Sequence, residues 1–473
     1  MVAPSSGKTS SQYDVAVVGA GPAGIFAALA LAKSSRLRIL VLEKGRDISR
    51  RHCPARERGR CAGCVPCAIT CGWGGAGAYS DGKLTLSPDV GGWLEEYLPR
   101  HVLESLFEDV DRTWRDYGAP QEVFGTNTDA LAVWRRKALR HGLRLVQSPL
   151  RHVGTERCAD LLLNMRRALE SRVEVRTETE VQSILTEGGR VTGLRLEDGR
   201  EVRAAAVIVA PGREGAGWLK AEAANLGLSV VSNAVDIGVR VEVPAFVLEQ
   251  ITADLYEPKL IYTAPHFEDQ VRTFCVNPGG EVCRESYGDV VTVNGHSYAD
   301  ASRATLCTNF ALLVSTRFTE PFKEPIEYGK SIARLANVLG NDIIVQRLGD
   351  LLGGHRTTRE RLARGAVRPT LADATPGDLS CVLPYRHLQD VMDMLEALNS
   401  FLPGVGGRDT LLYGVEVKFY SSRMELDGTL QTKAAGLYAV GDGAGVTRGI
   451  MQASVSGLVA ARGVLASFVA ATG

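Results

Sequence analysis

Cys61, Cys64, Cys67 and Cys71 are separated by gaps of two, two and three residues. Thiolates at that spacing can wrap an iron–sulfur cluster, because each sulfur supplies one soft anionic ligand. The pattern departs from the ferredoxin form at its end. Gly72 rather than proline follows Cys71, and Cys53-Pro54 offers another fourth ligand. Zinc is an alternative that the two-residue gaps crowd. A set of reduced or redox-active thiols holding no metal is a third. Twelve residues past Cys71, Lys83 in Ser80-Asp81-Gly82-Lys83 could stabilise negative charge on a cofactor or substrate, or close a structural salt bridge. His296 and Tyr298 are candidate proton donors on a strand, although a lone histidine is more often structural. Arg448 could bind a substrate carboxylate or cap its loop, and Cys275 is a weaker redox candidate. No Ser-His-Asp or His-Glu-x-x-His pattern is present to indicate hydrolysis.

These residues need elements to position them. From Asp14 to Glu43 a β-branched run (Val15, Val17, Val18) leads into Gly19-Ala20-Gly21-Pro22-Ala23-Gly24, then an apolar helix, then a second apolar strand ending in Glu43. That is a complete dinucleotide-binding βαβ unit. Gly19 allows the tight turn, Gly21 a close approach to a pyrophosphate, and Gly24 the packing of helix on strand. The helix N-terminus offers N–H groups to phosphates. Glu43, followed by Lys44, is placed to accept from ribose hydroxyls. The far end of the chain chooses between NAD and FAD. Gly441-Asp442 ends a strand and can give a carboxylate to a polyol. The N–H groups near Gly449, Ile450 and Met451 open the last helix and can face an electron-rich ring. These are the demands of a flavin. Gly75 and Gly77, Val181, and Ala210 with Gly212 complete the expected FAD contacts.

The 473 residues carry 54 Lys+Arg against 54 Asp+Glu, so nothing global favours nucleic acid or an anionic membrane. The polar N-terminus shows no secretory h-region. The apolar run Val15–Ala32 holds a strand-to-helix turn and is read as Rossmann rather than membrane, and Arg462 interrupts the apolar C-terminal helix. A cytoplasmic protein is expected. The arginines at 46, 50, 51, 56, 58 and 60 are read as a solvated run. The expected fold class is α/β, with a discontinuous Rossmann-like FAD-binding domain and an inserted mixed α+β substrate domain. Residues 1–12 form a flexible start. The first FAD-binding part is 13–234, with a Cys-rich loop at 46–90 and a helical insertion at 91–147. The substrate domain spans 235–414, with helices at 325–350 and 386–400. The second FAD-binding part is 415–473.

The words GAGPAG…LEKG, GWGGAGAYSDGKL, VAPGREG, DIGVRVE, FCVNPGGEV, VNGHSY and YAVGDGAG…GIMQAS run from about residue 14 to the C-terminus. The chain thereby resembles bacterial FAD-dependent dehydrogenases of the glutathione-reductase-like flavoprotein superfamily, most of which lack an assigned substrate. The resemblance implies the split FAD domain and a substrate domain over the isoalloxazine, and no particular reaction. Relatives tend to carry Cys-x-Cys-Pro-Gly-Gly where this chain has Cys275-Val276-Asn277-Pro278-Gly279-Gly280, and Asn-Gly-Met-Ser where it has Asn294-Gly295-His296-Ser297. The leading expectation is a dehydrogenase or reductase moving a hydride between flavin N5 and a small or medium organic substrate, in specialised metabolism. A flavin monooxygenase is one alternative. An FAD/iron–sulfur electron-transfer protein docking a redox partner is another. A second dinucleotide fingerprint is missing, so NAD(P)H, if used, binds transiently, or electrons arrive from elsewhere.

Overall fold

The computed structural model describes residues 11–54, 62–231, 233–287, 289–316, 324–420 and 422–472. The chain forms two compact units. The first holds the described residues of Met1–Ala119, Arg157–Val231 and Ser421–Gly473, and the second those of Pro120–Glu156 and Ser232–Tyr420.

The first unit is built on a seven-stranded sheet. Strand β1 (Ser11–Val18) lies at its centre, parallel to β2 (Ile39–Leu42) on one side and to Glu201–Val209 on the other. Val15, Ala16 and Val17 are wholly buried, as expected of a parallel strand covered on both faces. Beyond Glu201–Val209 the sheet turns antiparallel through Arg190–Leu196 and Val181–Glu187, while Leu437–Ala439 pairs with its later half. Helix α1 (Pro22–Ser34) follows β1. It is apolar nearly all round because it lies between the sheet and the C-terminal helix Ile450–Thr472. The two helices approach so closely that a Cβ at Gly457 would meet the Ala23 carbonyl oxygen at 2.0 Å. By length and composition Ile450–Ala470 could cross a membrane, and 56% of that apolar window is buried inside the protein. The helix continues through Arg462, which ion-pairs with Asp109 at 3.0 Å.

The second unit is built on an eight-stranded sheet. Its order runs Thr375–Pro376, Ile344–Arg347, Leu411–Lys418, Val235–Pro244, Cys307–Thr316, Gln270–Asn277, Lys259–Thr263, Leu143–Val146. Along Val235–Pro244 the odd positions are Val or Ile and enter an apolar core shared with the helices Thr128–Leu139, Pro325–Gly340 and Tyr385–Phe401. The even positions Asp236, Arg240 and Glu242 are buried on the opposite, polar face.

Three expected boundaries move. The helical insertion at 91–147 is divided. Its helix Arg100–Asp116 stays in the first unit, but Thr128–Leu139 and Leu143–Val146 join the second, because the latter strand pairs with Lys259–Tyr262 at the sheet edge. Residues 415–420 stay with the second unit because they finish the strand Leu411–Lys418. The helix expected over 325–350 ends at Gly340, where Asn341 takes a left-handed conformation, and the strand Ile344–Arg347 follows.

Candidate functional site

The glycines of the first unit divide by what their missing Cβ would meet. At Gly19 (φ +96°) it would lie 2.2 Å from the Ala210 carbonyl oxygen, and at Gly24 1.9 Å from that of Gly19. At Gly443 it would lie 2.4 Å from the Gly212 carbonyl oxygen. These glycines let the β1–α1 turn, residues 210–212 and residues 441–443 close on one another. Gly21, Gly212 and Gly449 differ. A Cβ on Gly21 would find only the Gly75 Cα at 4.0 Å, and on Gly212 (φ +63°) or Gly449 (φ +143°) it would find nothing within 4 Å. Gly77 stands against Pro22 and Ile450, and Gly441 against Ala23. Gly19, Gly21, Pro22, Ala23, Gly24, Gly75, Gly77, Ala210, Gly212, Gly441 and Ile450 are therefore brought together around bare backbone. No side chain caps α1, whose N-cap is Gly21, so the N–H groups of Ala23 and Gly24 lack intrahelical acceptors. Val181 opens the outermost strand of the meander. Met451 is buried in the last helix.

The two expected cofactor carboxylates are both held by the chain itself. Asp442 Oδ1 accepts from Thr447 Oγ1 at 2.7 Å and from the Gly449 N–H at 3.2 Å, and its Oδ2 lies 4.0 Å from Arg213 Nε. Glu43 is buried. Its Oε1 accepts from the N–H groups of Gly45 and Gly72, each at 2.8 Å, and its Oε2 from that of Ala20 at 2.9 Å. Three of its roughly four lone pairs are thus used to fix the turn, which leaves one for a ribose hydroxyl.

Arg51 overturns the reading of a solvated arginine run. Arg46 and Arg50 are exposed and pair with Glu178, but Arg51 is buried and donates to the carbonyls of Ala68, Ile69, Trp73 and Gly75 at 2.7–3.2 Å. Its guanidinium also lies 4.9 Å from the Tyr79 ring centroid, and burial pushes its pKa below the ordinary value. One side chain thereby ties the cysteine-bearing loop to the glycine turn at 75. Trp73 locks the same loop by donating to the Leu162 carbonyl at 2.9 Å.

Lys83 is buried and paired with Asp81 at 2.9 Å. In the second unit, His296 stands directly opposite Glu281 in an antiparallel hairpin, and the Tyr298 hydroxyl donates to Glu281 Oε1 at 2.6 Å. Arg303 lies 3.5 Å above the Tyr298 ring. Glu281 thus joins the two expected proton donors, and nothing in the sequence had singled it out. Between them in sequence, Ser297 belongs to a second polar group. Its hydroxyl lies 3.2 Å from Tyr256 Oη and 3.4 Å from His152 Nε2, and Tyr256 Oη lies 2.7 Å from His152 Nδ1. Deeper on the polar sheet face, Arg240 and Glu416 form a fully buried two-point ion pair at 2.8 Å. Burial alone would lower Arg240, but Glu416 overrides it and holds the guanidinium above its ordinary pKa. Arg240 also donates to the Cys275 carbonyl at 3.1 Å and to Asn309 at 2.9 Å. Cys275 occupies a bulge in its strand at φ +48°.

The family model described as "FAD dependent oxidoreductase" matches residues 14–313. The chain belongs to this family. A second model, "FAD-dependent protein, C-terminal domain-like", matches residues 234–419 of the flavoprotein. A curated relative, an uncharacterized protein of Clostridium beijerinckii, is 28% identical over 484 residues, covering 96% of this chain and 80% of its own. Among solved structures, FrdA of E. coli quinol fumarate reductase, in a mutant form, is similar at 13% identity and a TM-score of 0.43, over 98% of this chain and 71% of its own. Glycine oxidase of Geobacillus kaustophilus is similar at 15% identity and a TM-score of 0.40, over 97% and 95%.

Bare backbone at Gly21, Gly212 and Gly449, an uncapped helix N-terminus and Asp442 suit FAD. The metal reading fares differently. Cys61 lies outside the described residues. Of the other three thiols, Cys64 is exposed, Cys67 half-buried and Cys71 buried. Among the described residues no group of three or more His, Cys, Asp or Glu side chains is arranged to hold a metal ion. Burial pushes the Cys71 thiol up to about 11.

Proposed function

We propose that this flavoprotein is a dehydrogenase or reductase acting on a small or medium organic molecule. Bound FAD would supply N5 as the centre that accepts or gives the hydride. The chain's own residues do the rest. The α1 N-terminus and Gly21 would hold the pyrophosphate, the remaining lone pair of Glu43 would take a ribose hydroxyl, and Asp442 would take a hydroxyl of the ribitol. The N–H groups of Ile450 and Met451 open the last helix, whose positive end would favour negative charge on a bound flavin. In the second unit, His296 and the hydrogen-bonded Glu281–Tyr298 pair are the candidate proton carriers. Lys83, neutralised by Asp81, acts as a local positive end of a dipole rather than as a free cation.

The observation that carries this reading is Asp442, anchored by Thr447 and Gly449 next to a glycine with no neighbour on its Cβ side. The test is anaerobic mixing of the purified protein with NADH, NADPH and organic donors, followed by visible absorbance. Bleaching of the flavin without oxygen by one of these donors is expected. A protein that turns over only with oxygen, and places an oxygen atom in its product, would move the assignment to a monooxygenase.

A further inference from the structure

Two surface helices treat their arginines in opposite ways. In the helix Arg100–Asp116, Arg100 pairs with Asp89, Glu95 and Glu104, Arg112 with Asp109, and Arg115 with Asp111. In the helix Thr128–Leu139 and the strand after it, Arg135, Arg136, Arg140 and Arg144 are exposed, and among the described residues none of their side chains makes a hydrogen bond or an ion pair. No Asp or Glu occurs from Ala130 to Gly154. The helix buries Leu131, Trp134 and Ala138, which leaves Arg135, Arg136 and Arg140 on one outward arc. Arg136 and Arg140 are four residues apart, a spacing at which like charges repel. Val133 and Leu139, on the same arc, are 54% and 74% exposed.

We infer that this face docks on a bilayer surface rich in anionic phospholipid. Guanidinium groups bind phosphate headgroups by paired hydrogen bonds, and four uncompensated ones in ten residues give the local charge density such surfaces attract. The two aliphatic side chains among them suit the headgroup boundary. Nucleic acid is the poorer fit, because the outward arc offers no aromatic ring for stacking. Trp134 is buried and donates to Asp254, and Lys137 lies over the rings of Trp134 and Phe401. Because the helix's main apolar face is used by the protein's own core, the contact is peripheral and salt-sensitive. A net charge of zero conceals it, since the balancing acids lie elsewhere in the chain.

The test is co-sedimentation of the full chain with vesicles of phosphatidylglycerol and phosphatidylcholine, against phosphatidylcholine alone, at low and high salt. Binding is expected only to the anionic vesicles and is expected to fall at high salt. Arg136→Glu with Arg140→Glu should weaken it by at least about tenfold, and Leu139→Ser by a smaller factor, with the urea unfolding midpoint and circular dichroism unchanged in both as evidence of folding. The inference is overturned if the wild-type chain stays in the supernatant with anionic vesicles, if the double charge reversal pellets as before, or if duplex DNA holds the chain more tightly than the vesicles do.

Discussion

The two units build their polar sites from different materials. The first unit uses backbone: glycines that let loops touch, N–H groups at a helix end, and two carboxylates whose oxygens are largely engaged by the chain's own donors. The second uses side chains from many strands, as in the Arg240–Glu416 pair and the Glu281–Tyr298 and His152–Tyr256 contacts. A backbone site is specified by local spacing, so a single substitution in it acts on the local fold. A side-chain network is specified by sheet register, so removing one member strands its partner without moving the scaffold.

The largest effect should come from closing the tightest backbone contact. Gly24→Val would place a Cβ 1.9 Å from the Gly19 carbonyl oxygen. Loss of soluble protein or of bound FAD is expected, read as yield and FAD per chain. Normal FAD content would show that the helix–strand approach is not needed. Next is Arg240→Met, which removes the two-point partner of the buried Glu416 and leaves it only Lys418, 3.2 Å away; the loss should be up to about 3 kcal/mol, with part of it recovered when Glu416→Leu is added. Urea unfolding measures it. If the two units are as different as proposed, FAD content holds while the unfolding midpoint falls, and a parallel loss of both would break the distinction. A smaller effect is expected from Arg51→Met, which removes the hydrogen bonds that hold residues 68–75. FAD affinity should fall by about tenfold, on the scale of one or two charged hydrogen bonds, with little change in the second unit's stability.

The smallest effect is a pH dependence confined to the second unit. Burial, reinforced by the neighbouring Asp269, pushes Asp390 up to about 7. Its folded pKa lies above the unfolded value near 4, so the folded state binds the extra proton between these limits. Stability from this group is therefore present at low pH and lost as pH rises toward about 7. His387 works the other way. Burial lowers it to about 4, so its contribution is lost as pH falls from about 6.5 to 4. Asp390→Asn should raise the thermal midpoint at pH 8 more than at pH 5. Equal shifts at both would remove Asp390 as the source.

The same contrast explains what the sequence revealed. The Gly19, Gly21 and Gly24 turn and the Gly441-Asp442 strand end were legible because each role needs one residue type at one local position. Arg51 was misread because an arginine among arginines gives no sign of which one turns inward. Glu281 was missed because it meets Tyr298 across a hairpin, 17 residues away, and Tyr256 meets His152 across 104. Arg240 and Glu416 are 176 residues apart and adjacent only through strand order. The unit boundary near residue 120 was hidden for the same reason, since helix periodicity does not say which sheet a helix covers.

The proposed FAD site is split, its two halves being the β1–α1 turn and the Asp442 loop. Its most direct test is the FAD dissociation constant of reconstituted apoprotein for wild type and Asp442→Ala, with Thr447→Val as a control that loosens the loop and keeps the carboxylate. Asp442→Ala is expected to bind FAD about 10- to 100-fold more weakly, on the scale of charged hydrogen bonds lost, and Thr447→Val to change little. An Asp442→Ala protein that binds FAD as tightly as wild type would contradict this assignment.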